Sequence, residues 1–352
     1  MRVSKRVLGI AGFVGCLVAV AAVAAAAETS VEAKDTGKVF MWEAKGNGAT
    51  AYLLGSLHAC GPDMYPLNPA IEDAYGKSDT LVLEMDMSEE TIATAVQVMM
   101  KEGFYGGDDT IEKHLSESTM TKLEAFLKER DMSVTMVRKM KPWYLLMQLA
   151  MQEVGRLGYD VTKGIDVHFA EKATTADKPI KGLETPQEQI TALASGLEKI
   201  QEKELVSFMD EIGDTKRIYE SMAAAWKAGD AAAMNEIIQK ELSSDSEVKD
   251  FDTKVIRERS ERMANRLAEM MEAGKTYFVI VGAAHLVGEK NVRDLLEAKG
   301  FTVTQVEKAP EAVEVESTGA GAEVESSEAQ AVGAESPAAE AAALVESTAA
   351  KE

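Results

Sequence analysis

The chain has 352 residues, 46% of them hydrophobic and 28% charged, enough apolar material for one large domain or two ordinary ones. It has only two cysteines, Cys16 and Cys60, which excludes a disulfide framework and any multi-cysteine zinc site. Acidic residues outnumber basic ones 59 to 38, and the net charge of -21 removes the counterion release on which nucleic-acid affinity depends, so no nucleic-acid partner is expected.

In chain order, Arg2, Lys5 and Arg6 precede an uncharged apolar run from Val7 to Ala27, followed by Glu28. Basic, apolar and small-residue zones in that order predict a signal peptide over residues 1–27. The protein is then exported, periplasmic or secreted, with inner-membrane anchoring as the alternative if the run is retained, since it is long enough to span a bilayer. Cys16 loosely resembles a lipoprotein cleavage site, but the apolar run continues well past it, unlike a lipidated N-terminus.

The body, residues 28–308, opens with apolar runs Val39 to Ala44 and Ala51 to Leu54 around Gly46-Asn47-Gly48, the pattern of a β-hairpin. Pro66 to Tyr75 predicts a short helix and Thr80 to Leu83 a buried strand leading into Glu84. Apolar residues at three- and four-residue spacing predict helix from Ser88 to about Gly158, with Pro142 breaking or starting one. A helix over Gly164 to Ala176 and a strand over Pro179 to Leu183, ending at Glu184, come next. Pro186 opens a helical stretch to about Ala273, with breaks near Gly229 and Ser243. Tyr277 to Val281 is a strongly apolar strand, Val287 to Ala298 a helix capped by Gly300, and Phe301 to Val306 a final strand. The many methionines of the middle region read as core packing. The fold class is α/β: short strands forming one central sheet or two small sheets, flanked by helices, with a large helical insertion.

Residues 309–352 are almost wholly Ala, Glu, Ser, Val, Gly and Thr, without an aromatic residue. Such a segment buries too little apolar surface to offset its chain entropy and reads as a disordered acidic tail. With both ends set aside the body is still acidic, which favours a cationic, neutral or metal-bearing ligand over a phosphate polymer.

Two of the four histidines close the same pattern after an apolar strand: Gly55-Ser56-Leu57-His58 and Gly282-Ala283-Ala284-His285. Glu84 and Glu184 stand at the ends of two other strands. In α/β folds side chains leaving the C-terminal ends of parallel strands converge on the ligand crevice. A metal hydrolase needs about three protein ligands, an open position for water and a carboxylate base. His58, His285 and Glu84 could supply the ligands, and Glu84 or Glu184 the base. His114 and His168 read as surface or capping residues, Asp166 as a possible cap of backbone N–H groups, and Cys60 as inert rather than a soft ligand. No G-x-S-x-G elbow, H-E-x-x-H helix or phosphate-binding glycine loop is present.

Met41-Trp42-Glu43, Tyr52-Leu53-Leu54-Gly55-Ser56-Leu57-His58 and Leu83-Glu84-Met85-Asp86 together resemble the opening of the TraB/GumN family, which includes the Tiki metalloproteases. Gly164-Ile165-Asp166 with Phe169, Gly182-Leu183-Glu184-Thr185 with Gln189, Arg259, and Val281 through Gly288 extend the resemblance over nearly the whole body. It implies a fold related to erythromycin esterase and ChaN-like proteins, and a manganese- or cobalt-dependent hydrolase acting on peptide bonds. It puts His58 and His285 on the two G-x-x-H positions, Glu84 and Glu184 on the acidic ones, and gives Asp166, Arg259, Gly55 and Gly282 supporting places. Ser56 and Ser260 depart from it, standing where many relatives have Thr and Asn. The expected partner is a peptide or small-molecule substrate. A non-catalytic module that binds a peptide or metal, and an ester hydrolase of the erythromycin esterase type, are the alternatives.

Overall fold

The computed structural model describes residues 31–241 and 246–310. The expected leader, nearly all of the acidic tail and the expected helix break near Ser243 lie outside the described residues. Six strands form one mixed sheet rather than two: β1 (Lys38–Gly46), β2 (Ala49–Ser56), β3 (Thr80–Leu83), β4 (Ile180–Gly182), β5 (Thr276–Gly282) and β6 (Thr302–Glu307), in the order β4-β3-β5-β2-β1-β6. The predicted hairpin joins β1 to β2 through Asn47 (φ 52°) and Gly48 (φ 73°), the two successive positive φ values that a tight hairpin turn demands.

Strands β4, β3, β5 and β2 are parallel, and β1 runs antiparallel to both of its neighbours. Their register fixes the position of the site. Ser56 lies opposite Gly282, while Leu83 pairs with both Ile280 and Gly182, so all four parallel strands end at one edge. The residues that follow, His58, Glu84, Glu184 and His285, therefore emerge together although they span 227 positions of sequence.

Strand interiors are apolar because both faces are covered. Phe40, Leu53, Leu54, Leu81 and Phe278 are fully buried, and helices Pro69–Lys77, Ile165–Thr175 and Thr215–Lys227 pack on the sheet. The region expected to be helical from Ser88 to Gly158 is several helices, Glu89–Gly103, Glu117–Lys128, Val134–Val137 and Pro142–Arg156, the last opened by its proline. The helix expected from Val287 begins only at Val292. Gly288 (φ 73°) and Lys290 (φ 49°) are left-handed, which no α-helix accommodates, and the Asn291 side chain then caps the Asp294 N–H. Among the described residues no helix is long and apolar enough to cross a membrane.

Candidate functional site

His58 lies two residues beyond β2. Its backbone is pressed against the start of helix Ile165–Thr175: the Ile165 N–H donates to the Leu57 carbonyl at 3.1 Å, and a Cβ on Gly164 would stand 2.4 Å from the His58 carbonyl oxygen. That approach brings Asp166, the second residue of the helix, against the imidazole. Asp166 Oδ1 lies 3.2 Å from His58 Nδ1 and accepts the Ser56 hydroxyl at 2.9 Å. In place of the capping role its position offers, Asp166 turns its Oδ1 to the Ser56 hydroxyl and the His58 ring. With Nδ1–H given to Asp166, His58 Nε2 is left with its lone pair. Burial works against protonating His58, but the charges of Asp166 and Glu84 outweigh it and hold the ring above its usual pKa.

His285 sits in a 3-10 turn, Ala283–Leu286, directly after β5, and is 1% exposed. Its Nδ1 is 2.9 Å from Ser260 Oγ, whose own proton goes to the Ile256 carbonyl at 2.8 Å. Ser260 can therefore only accept from the ring, so Nδ1 carries the hydrogen and Nε2 is a bare acceptor. That Nε2 is buried and has no hydrogen-bond partner, with Glu84 Oε1 3.9 Å away. Burial, reinforced by the Arg259 charge, pushes the His285 pKa down to about 3, which keeps the ring neutral.

Both oxygens of Glu84 are engaged. Oε1 accepts the Gly282 N–H at 2.7 Å, and Oε2 accepts Gln189 Nε2 at 2.7 Å and Arg259 Nη2 at 2.8 Å. Burial opposes its ionisation, yet Arg259, His285, His58 and the Gly282 amide hold its pKa at about 2. Glu184 is tied instead to Arg259, whose Nε and Nη2 reach Glu184 Oε2 at 3.0 and 2.7 Å. Burial pushes the Glu184 carboxyl up against the pull of Arg259. The arginine thus lies between two buried carboxylates, one facing the histidines and one behind it.

Arg259 and Ser260 come from helix Glu258–Met270, which follows a π-helical turn, Thr253–Arg257. Turns of this kind re-aim the side chains that follow them, and here both residues are buried toward the strand ends. Gly282 is at the centre: an added Cβ would stand 3.1 Å from His58 Nε2 and 3.2 Å from Glu84 Oε1. Gly55 lies further back, where a Cβ would collide with Phe40 and where its carbonyl accepts the Trp226 indole N–H.

The remaining candidates stay apart from this cluster. His114 pairs with Asp109 at 2.9 Å on the surface, half-exposed His168 lies 3.7 Å from Glu72, and the buried Cys60 thiol donates to the Leu57 carbonyl. The resemblance names Gln189 and Ser260 without giving either a role in the site. Gln189 belongs to a helix whose start is marked by the capping box of Thr185 and Glu188, but nothing local signals that its amide reaches a carboxylate 105 positions away.

Two cavities meet at His58. The smaller, about 490 Å³, is bounded by Glu84, Asp86, Thr91, Asp166 and Gln189 among others. The larger, about 980 Å³ with the solvent open to it, runs from His58 and His285 toward helices Thr215–Lys227 and Ala231–Glu241.

The family model described as the TraB/PrgY/gumN family matches residues 40–305, a span that takes in every side chain of this cluster. The chain is similar to the uncharacterized protein YbaP of Shigella flexneri, with 24% identity over 249 residues, and to YbaP of Escherichia coli (strain K12), with 25% over 248. Each alignment covers 70% of this chain and 87% of the relative. No solved structure matches it.

Proposed function

Because the chain belongs to the TraB/PrgY/gumN family, we propose that it is an exported metal-dependent hydrolase, a peptidase, whose divalent ion is held by His58, His285 and Glu84. The observation that carries this reading is the orphaned His285 Nε2 lying 3.9 Å from Glu84 Oε1. Two atoms that each bind one ion at about 2.1 Å are at most about 4.2 Å apart, so this pair has the spacing of two ligands. His58 Nε2 faces the same space across Gly282, where the missing Cβ leaves room. Among the described residues no group of three or more His, Cys, Asp or Glu side chains stands close enough together to hold an ion, so this reading requires the three donors to draw together when one binds.

Two imidazoles and a carboxylate suit several divalent transition metals, and the family resemblance favours manganese or cobalt. An ion bound there would supply Lewis acidity, polarising a scissile carbonyl and lowering the pKa of a water. The protein's own groups prepare the ligands. Ser260 and Asp166 each occupy an Nδ1, so both rings keep Nε2 for binding. Arg259 keeps Glu84 anionic, which suits it to be a ligand more than a proton acceptor. Glu184, with Arg259 bound to its oxygens, holds that arginine in place. Export rests on the basic, apolar and small-residue order of residues 1–27.

One observation favours a second reading, an ester hydrolase in which His58 itself takes a proton from water. The Asp166 carboxylate orients the ring and raises its pKa, as an orienting acid does for a general base. The test is elemental analysis and peptide cleavage by the purified chain and its His58→Ala and His285→Ala variants, with and without chelator. Loss of bound metal and of cleavage in both variants, with chelator inhibition reversed by manganese, is expected. Wild-type metal content in both variants would overturn the shared site. Chelator-resistant ester cleavage abolished by Asp166→Asn would favour the second reading.

A further inference from the structure

The two cavities flanking His58 differ in chemistry. The larger is walled by Ile218, Met222, Ala223, Ile238 and Phe251 and floored by the two site histidines. No lysine or arginine lines it among the described residues, and its one carboxylate, Asp63, is exposed and paired with Lys227. A charged group held against these walls, away from the histidine floor, would lose its hydration and find no partner, a cost of several kcal/mol by the usual order of magnitude. A bulky uncharged group would instead cover apolar surface, at about 25 cal/mol per Å². The smaller cavity is mixed, with Asp86, Thr91 and Gln189 on its walls beside Met85, Met87 and Ile92. A chain lying across His58 would therefore meet one side without a lysine or arginine and one that mixes carboxylate, amide and apolar groups.

We propose that the larger cavity is the specificity pocket, and that it takes an aromatic or branched aliphatic side chain next to the bond to be cleaved. This rests on the hydrolase reading above for the cleavage, but not for the binding. His58 and His285 at its floor bring its occupant within reach of the reacting centre. Ala223, half-buried on helix Thr215–Lys227, offers a place to fill the cavity without removing any packing. Met222 offers a place to reverse its polarity.

The experiment uses end-blocked peptides that differ at one position, Phe, Leu, Ala or Asp, presented to the full chain with manganese. Cleavage sites and rates are read by mass spectrometry, and binding of the Phe and Asp peptides by fluorescence polarisation. The Phe and Leu peptides are expected to be cleaved at least about tenfold faster at low concentration than Ala, and about a hundredfold faster than Asp. Ala223→Phe should bring Phe down to the level of Ala through a raised KM. Met222→Lys should shift the preference toward Asp. Binding by His58→Ala, which lacks the chemistry, should keep the Phe-over-Asp ranking. Equal binding of Phe and Asp peptides, or a preference unmoved in folded Ala223→Phe and Met222→Lys chains, would overturn the pocket even if cleavage is seen. Retained Phe-over-Asp binding without cleavage of any peptide would overturn the hydrolase reading and leave the pocket standing.

Discussion

His58 and His285 close identical G-x-x-H patterns on adjacent parallel strands, yet their surroundings push them in opposite directions. His58 gives its Nδ1 proton to a carboxylate, and the charge of Asp166 overcomes burial to raise its pKa. His285 gives its Nδ1 proton to a hydroxyl, which has no charge to set against burial, and its pKa falls to about 3. The motif decides where an imidazole emerges and which nitrogen it presents. The partner behind it, supplied by a remote helix in each case, decides how readily the ring takes a proton. Such a pair offers one ligand that stays neutral in mild acid and one that competes with protons for its lone pair.

Arg259 is the element both rings share, because its charge lowers the pKa of each. Removing it also gives the largest stability effect expected here. In Arg259→Met, Glu84 and Glu184 remain buried without their cation, and breaking a buried ion pair from one side costs about 3–5 kcal/mol. Urea unfolding of the metal-free chain checks this; a loss below about 1 kcal/mol would mean that water or another cation reaches the carboxylates. Both histidine pKa values should rise in the same variant, as NMR titration would record.

The comparison is tested more finely by removing each partner in turn. Ser260→Ala and Asp166→Asn each remove the group that orients one ligand, and each should weaken metal binding by about 10- to 100-fold. They should separate in titration. Asp166→Asn is expected to lower the His58 pKa, since burial and Arg259 then act against Glu84 alone, while leaving His285 neutral. Ser260→Ala should leave the His58 titration unchanged. Identical shifts in both variants would show that the rings are coupled to each other more strongly than to their partners.

Much of this site was legible in the sequence because short apolar runs end in residues that carry chemistry. Thr80 to Leu83 before Glu84 and Tyr277 to Val281 before His285 could be placed at strand ends from local pattern alone. The order of the strands could not, since nothing in β3 says that β4 and β5, rather than its chain neighbour β2, will flank it. Local pattern offers Asp166 only a capping role, and only the resemblance gives it a supporting place, because its bond to Ser56 crosses 110 positions. Gly288 carries a local sign of the late helix start at Val292, whereas the left-handed Lys290 carries none. The apolar cavity was invisible for a different reason. Ile218, Met222 and Phe251 show the same helical spacing whether they face a packed core or an open pocket, and only tertiary packing distinguishes the two.

The most direct measure of the contrast between the rings is a pair of opposing slopes in stability against pH for the metal-free chain. In the unfolded chain both histidines titrate near 6.5. Folded His285 resists protonation down to about 3, so between about 6.5 and about 3 the unfolded state binds one more proton at this position. Stability therefore falls as pH is lowered through that window, by at most about 1.4 kcal/mol per pH unit from this group. Folded His58 has a raised pKa, so its contribution is fully present below about 6.5 and is lost as pH rises through the folded value. Replacing His285 by Gln should flatten the acid side of the profile, and replacing His58 by Gln should flatten the side above 6.5. Chemical denaturation at half-unit steps from pH 4 to 9 would resolve both changes, and an acid slope that persists in His285→Gln would assign it to the carboxylates instead.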